Sequence, residues 1–275
     1  MRAPLGTWLS IVCLSAVTLG SLSVSLFSSE GPNVGDITQR LLPPVWMGGG
    51  TKEHLLGTDH LGRDMLVRLL YAGRVSLLVG LSAVLISGSV GVVTGLIAGY
   101  AGGRVDATIM RLVDMQLAIP FLALAILVAA VVGPGVRNVI IVLGISGWVL
   151  YARVVRASVL VARNYEYVMA ARAIGATTFR ILVRTILPNV FAPALVIGTF
   201  SVSQMIITES SLSFLGLGVP PATPTWGAML SDARDYLEVA WWIPTFPGLA
   251  ITLVVLNVNL IGDWLRDRLD PRLRV

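Results

Sequence analysis

Few residues in this 275-residue chain can do covalent chemistry. It has one cysteine, Cys13, one lysine, Lys52, and two histidines, His54 and His60. Cys13 lies in an apolar run, where a lone thiol is filler rather than a redox or zinc centre. A P-loop needs Gly-Lys-Ser/Thr to cradle phosphates, and the single lysine follows Thr51 in no such pattern. No His-Glu-x-x-His motif is present. A resident metal is not expected, and no cofactor is expected on this chain. The fragment Gly144-Ile145-Ser146-Gly147 has a serine-nucleophile pattern. Such a serine needs a base within hydrogen-bond reach, and neither histidine nor lysine occurs in any long apolar run. An intramembrane hydrolase is the disfavoured alternative, and no residue is assigned as catalytic.

Other polar residues sit inside apolar runs: Gln204, Glu209, Asn257 and Asn259. An acid in a membrane span is costly and is by default a functional candidate, whereas amides also serve as glue between helices. These four are the candidates for a translocation path. Asp114 has a plain reading as a local partner of Arg111.

The segment 162–187 is unlike a floppy connector. Glu166 to Ala173 is rich in helix formers, and Gly175 is placed to stop that helix. A second helical stretch, Phe179 to Leu187, is expected to end at Pro188. The small side chains of Ala170, Ala171 and Ala173 suit a helix seated in another protein's cleft.

Composition fixes the elements that must carry these residues. Apolar residues make up 55% of the chain, charged residues 13%, and mean hydropathy is +0.82. Soluble domains are roughly 45–50% apolar and about 25% charged, so a soluble globular, disordered or fibrous protein is excluded. Apolar runs near 4–27, 75–100, 107–132, 138–161, 190–214 and 244–264 predict an all-α, polytopic membrane protein with six transmembrane helices. Pro120 should kink the third. Gly91, Gly95 and Gly99 predict a close inter-helix seam on the second. Between the first two runs, 28–74 begins as a Pro- and Gly-rich loop. Leu61, Met65, Leu66, Leu69 and Leu70, with Asp59–Arg63 and Asp64–Arg68 at i,i+4, then predict a short amphipathic helix on the membrane surface.

The net charge is +5, and every basic residue except Lys52 is arginine. With both termini inside, 13 basic residues fall on the inner side and 7 outside. The positive-inside rule therefore predicts cytoplasmic termini and an external 28–74 loop, and it explains the basic balance without nucleic acid. The organisation expected is a first transmembrane helix (1–27), an external loop with an amphipathic helix (28–74), a five-helix core (75–264) with the loop 162–187 inside it, and a cytoplasmic tail (265–275).

The loop 162–187 resembles the EAA loop of ABC-importer membrane subunits: E-A-A, three residues, G, nine residues, I-x-L-P. Ala170, Ala171, Gly175, Leu187 and Pro188 match, while Met169 and Thr185 replace the glutamate and isoleucine. Glu166-Tyr167-Val168-Met169-Ala170-Ala171-Arg172-Ala173-Ile174-Gly175-Ala176 is closer to the dipeptide/oligopeptide/nickel permeases. The segments Gly57–Asp64, Glu209–Gly218 with Pro224–Gly227, and Gly262–Pro271 are similar to further motifs of that subfamily, C-type permeases above all. The resemblance implies a type I ABC-importer permease fold in the cell membrane and an importer of di- or oligopeptides, with nickel or another small solute as the alternative. It implies a second homologous permease, two cytoplasmic ATPase subunits carrying ATP and Mg, and an extracellular or periplasmic substrate-binding protein. Glu166, Tyr167, Ala170, Ala171, Arg172, Gly175, Ala176, Leu187 and Pro188 would then couple to the ATPase.

Overall fold

A computed structural model describes residues 4–28 and 31–269, all helix, turn and loop apart from two isolated β-bridges. Arg2, Arg272 and Arg274, and the tail beyond residue 269, lie outside the described residues. Lipid offers no partner to a bare backbone, so apolar spans must satisfy their N–H and C=O groups as helices. Five helices are long and apolar enough to cross a membrane, and a bent pair makes a sixth. Large apolar side chains such as Trp8, Leu22, Leu81, Leu85, Val131 and Leu256 face outward. A water-soluble monomer does not carry apolar exposure on this scale.

The first span is α1 (Leu5–Phe27), packed against α2 (Met65–Ala101) and α10 (Trp242–Leu269). At 37 residues α2 absorbs two expected elements, the surface helix and the second span. Residues 58–64 are a turn, and the helix runs unbroken across the expected boundary at 74/75. Arginines along this stretch have other partners. Arg68 is buried against Asp59, and Arg74 donates to the Leu22 carbonyl at 2.8 Å and to Ser25 Oγ at 3.0 Å on α1.

The glycine seam forms as its spacing suggests. Gly91, Gly95 and Gly99 face α5 (Val136–Ala162). A Cβ on Gly95 would lie 2.7 Å from the Ala152 carbonyl oxygen and 2.8 Å from Val155 Cβ. The backbones meet here, and α2 with α5 is the most extensive helix pair in the described chain.

The third span is broken rather than kinked. α3 (Gly103–Ala118) and α4 (Phe121–Val132) meet at 82°. Pro120 has no N–H and forces its predecessor out of the helical region. Ile119 is accordingly extended, at φ −90° and ψ 119°. α3 is pinned to α5 by Asp106, which receives Arg156 Nη2 at 2.6 Å.

Pro188 does not end its helix. α7 (Thr178–Arg180), a π-helical segment (Ile181–Ile186) and α8 (Leu187–Phe214) run on as one rod. The Leu187 N–H reaches back five residues to the Leu182 carbonyl. This wider turn precedes a proline that cannot donate, and Asn189 Nδ2 donates to the Thr185 carbonyl at 2.7 Å. α8 and α10 run antiparallel, since Ser203 donates to the Val255 carbonyl and Gly262 lies against Thr199. The C-terminal end of α10 therefore lies on the same side as α6 (Glu166–Ala173). Segments 31–64 and 215–241, including α9 (Trp226–Asp232), pack together as a cap on the opposite side.

If backbone contact at the seam holds α2 on α5, Gly95→Val overpacks it by about 1–3 kcal/mol. The melting temperature of the detergent-solubilised protein should fall. Gly248→Ala is the control, because nothing lies within 4 Å of a Cβ there; an unchanged Gly95→Val melting point would contradict the seam.

Candidate functional site

Three constellations stand out: a protruding helix at one end, a groove in the middle and an ion-paired lock at the other end. The first is α6, reached from α5 through the turn 163–165. Arg163 Nη1 donates to the Gly99 carbonyl at 3.0 Å, which ties this turn to the end of α2. Arg172 Nε donates to Tyr100 Oη at 3.3 Å, with its guanidinium 4.8 Å from that ring. One face of α6 is anchored: Val168 is fully buried with Val159, Ile181 and Ile186, and Ala171 packs against the same cluster. The helix stops as its glycine suggests. Gly175 has φ +78°, Ala176 N–H donates to the Ala171 carbonyl at 3.0 Å, and Gly175 N–H to the Arg172 carbonyl at 3.0 Å. This is a Schellman ending, with Ala176 and Ala171 supplying its apolar contact. Thr177 Oγ1 accepts from the Arg180 N–H at 3.3 Å and starts the next helix.

The opposite face is bare. Glu166, Tyr167, Met169 and Ala170 are exposed, Ile174 is 85% exposed and Phe179 is 75% exposed. Arg172 is exposed too, but it sits one turn after Val168, on the anchored side against Tyr100. Leu187 is half-buried, and Pro188 is exposed on the rod that follows. The nine residues marked by sequence thus fall in one region, but Leu187 and Pro188 belong to the continuing helix. A cavity of about 320 Å³ opens between α6 and that rod, lined by Ala171, Ile174, Arg180 and Arg184. An apolar knob on a clamped helix can transmit force without covalent chemistry.

The four polar path candidates do not form one site. Gln204 and Glu209 lie on α8 about 140° apart around the axis. Glu209 is fully buried and accepts from Ser213 Oγ at 2.7 Å and Ser76 Oγ at 3.1 Å. Ser76 Oγ in turn accepts the Trp226 N–H at 3.3 Å. Glu209 therefore ties α8 to α2 and, through Ser76, to α9. Asn257 Nδ2 donates to the Leu253 carbonyl of its own helix at 2.7 Å, and Asn259 is half-buried on another face of α10. Gln204 alone reaches open space, a groove of about 590 Å³ between α5, α8 and the end of α3. Ser146 lines it too, but its hydroxyl donates to the Val142 carbonyl at 2.7 Å. No histidine, lysine or carboxylate lines the groove beside it, so nothing on the groove wall activates Ser146 as a nucleophile. Asp114 accepts from Arg153 Nη2 at 2.8 Å rather than pairing with Arg111, because a neighbouring helix offers the nearer cation.

Residues 91–275 match the family described as the binding-protein-dependent transport system inner membrane component. The chain belongs to that family. It is 50% identical over 234 residues to the di/tripeptide transport system permease protein DppC of Pseudomonas aeruginosa, covering 85% of this chain and 77% of that protein. It is 50% identical to the dipeptide transport system permease protein DppC of Escherichia coli K12, over 85% of this chain and 78% of that one. The Haemophilus influenzae dipeptide transport system permease protein DppC is 40% identical over 98% of this chain and 91% of its own. Among solved structures, a chain of the MetNI methionine ABC transporter in an inward facing conformation aligns with TM-score 0.53 and 22% identity, over 70% of this chain and 94% of that one. That likeness is one of fold.

The matched family region of this transport component holds α6, the groove and Asp232 of the third constellation, and leaves out that constellation's Asp59, Arg63 and Arg68. Asp59 is fully buried and accepts from Arg63 Nε at 2.6 Å and from Arg68 Nη1. Its Oδ1 also takes the backbone N–H of Leu61 at 2.8 Å and of Arg63 at 3.0 Å. Asp232 in α9 receives Arg68 Nη2 at 3.3 Å, which joins the loop to the other half of the cap. The Asp59–Arg63 pair exists, but across a turn. Asp64 does not pair with Arg68; it caps α2 through the Val67 N–H at 2.8 Å and meets His54 Nδ1 at 2.8 Å. Sequence reasoning saw these charges as helix pairs and missed the lock, because Asp232 lies far along the chain. The glycines of 57–62 were the available signal, since Gly57 and Gly62 both have positive φ.

Burial pushes the Asp59 carboxyl upward, but Arg68, Arg63 and the backbone N–H groups outweigh it and hold it below the usual carboxylate range. A carboxylate with a lowered folded pKa stabilises fully above its unfolded value, about 3.9, and loses that contribution as pH falls through the folded value. Asp59→Asn should leave two buried arginines with only the longer contacts to the half-exposed Asp232 and cost up to about 3–5 kcal/mol. Thermal melts across pH should show wild-type stability declining below about pH 4. The variant should be less stable at neutral pH and lack the part of that decline due to Asp59.

Proposed function

We propose that this chain is the membrane-spanning permease subunit of an ABC importer for di- and oligopeptides. The observation that carries the coupling half of this reading is α6: a short helix clamped to the α2–α5 core on one face and bare on the other. The cargo half is supported by the di/tripeptide and dipeptide permeases that the chain resembles at 50% identity. The permease does no hydrolysis itself. Two cytoplasmic ATPase subunits bind ATP and Mg, and each seats a coupling helix in a cleft. Glu166, Tyr167, Ala170, Ala171, Arg172, Gly175 and Ala176 make that contact here, and Leu187 and Pro188 pass its movement into α8. A second, homologous permease closes the path, and a substrate-binding protein delivers peptide to the cap.

Coupling then works as a population shift. Closure of the ATPases on nucleotide moves the α6 knob, and the stiff joint to α5 and the α7–α8 rod tilts the spans between inward-open and outward-open states. Leverage of this kind requires that α6 not bend at its own base, and the Schellman ending and the Arg172–Tyr100 contact supply that stiffness.

The protein lies in the membrane with both termini and α6 in the cytoplasm and the 31–64 and 215–241 cap outside. Reporter tags at residues 1 and 275 should be cytoplasmic and one at Gly49 external; an external C-terminus would contradict the six-span arrangement. A side chain at Gly175 meets no neighbour within 4 Å, so Gly175→Val acts through its backbone alone, at about 1–2 kcal/mol. Gly175→Val and Ala171→Asp should insert normally, lower co-purification of the ATPase, and reduce uptake of labelled dipeptide at least tenfold. Wild-type levels of both in both variants would remove α6 from coupling.

A further inference from the structure

We infer that the groove between α5 and α8 binds the charged backbone termini of a zwitterionic peptide, with Arg153 on its wall taking the carboxylate and Asp114, which does not line the groove but is paired with Arg153 at 2.8 Å, taking the ammonium. The inference rests on the peptide reading above and assigns residues to it.

The groove holds about 590 Å³, within the roughly 300–1,000 Å³ of small-molecule sites. Its walls are apolar, with Leu150 and Phe200, and its polar groups are few: Ser146, Ser201, Gln204 and Arg153. That mixture fixes a ligand's orientation with few hydrogen bonds and tolerates varied side chains against the apolar wall.

The ion pair is the unusual feature. Arg153 stands nine residues before the end of α5, a spanning helix, or about 14 Å along its axis. Its side chain is 49% exposed and that of Asp114 is 64% exposed. Charges at membrane depth do not face lipid; they face protein or a water-filled cavity. The neighbouring Asp106–Arg156 pair, with side chains 16% and 31% exposed, already straps α3 to α5. A second strap left this open has little to add in holding the helices, because exposed pairs contribute only about 0–1 kcal/mol. The same weakness lets it exchange partners. A zwitterion entering the groove replaces one ion pair with two, and no charge is left bare. Gln204 Nε2, held only by a 3.4 Å contact to Thr208 Oγ1, is free to turn toward a peptide carbonyl.

The test uses the full complex in proteoliposomes with labelled dialanine. Leu150→Cys in a Cys13→Ser background places a single thiol on the groove wall, and Ile197→Cys serves as a second reporter if the first impairs uptake. Labelling by a charged methanethiosulfonate should slow at least fivefold when dialanine is present during turnover. N-acetyl-dialanine amide, which lacks both charges, should give no protection. Adding Arg153→Gln or Asp114→Asn should abolish the protection and lower uptake at least tenfold, while ATPase co-purification stays at the wild-type level. Equal protection by the charged and uncharged peptides, or no protection by dialanine that is nonetheless taken up, would overturn the assignment and leave the pair a strap between α3 and α5. Wild-type complex that takes up no peptide at all would overturn the cargo reading, and this site with it.

Discussion

Backbone contact between α2 and α5 is the constraint on which the rest of the molecule depends. Lipid tails are as apolar as leucine, so spans do not associate by hiding oily surface from water. Close packing must do it, and glycine at every fourth position lets two backbones touch along the Gly91–Gly99 stripe. Both functional ends are built from the helices so joined. α2 begins at the Asp59 lock and ends at Tyr100, beneath α6. α5 carries the groove wall at Ser146, Leu150 and Arg153, and its last turn launches α6. A shift of one helix along the other would move both ends together.

Charge is managed in three different ways. Asp59 is fully buried and shares two arginines, which leaves no bare charge and fixes the cap. Glu209 is also fully buried, and its partners are hydroxyls: Ser210 and Ser213 on its own helix, Ser76 on α2 and Thr225 at the start of α9. Arg153 and Asp114 are paired yet open. The first two arrangements hold structure in place, since removing a partner would leave a desolvated group. The third has slack, and slack suits a place where a ligand comes and goes.

The joint between α6 and the spans combines a glycine stop with a buried π-helical stretch. The Schellman turn at Gly175 sets the angle between α6 and the next helix. The π-helical segment at Ile181–Ile186 follows within one turn, buried at Ile181 and Ile186 against Val155, Val159 and Val168. Such π turns occur inside α-helices, often at functional sites. This one sits where the α6 end meets a span continuing to Phe214, and its buried Ile181 and Ile186 hold the rod to the core there.

Sequence alone determined the class of the molecule, since so few charges cannot cover a surface in water. It located the spans, although α2 starts ten residues before the expected 75 and the α7–α8 rod twelve before the expected 190. It also located the glycine seam and the stop at Gly175, because periodicity, small-residue spacing and left-handed backbone positions are local properties. Local rules failed where a distant partner changed the balance. Arg68 read as the partner of Asp64 on a surface helix until Asp59 claimed it, and that helix merged with the second span as α2. Pro188 read as a stop until the π turn ahead of it carried the helix on. Glu209, Gln204, Asn257 and Asn259 looked alike as polar residues in spans. Which face of a span meets serine hydroxyls, which meets its own carbonyls and which meets an open groove depends on helix rotation, and rotation is set by packing among spans far apart in the chain.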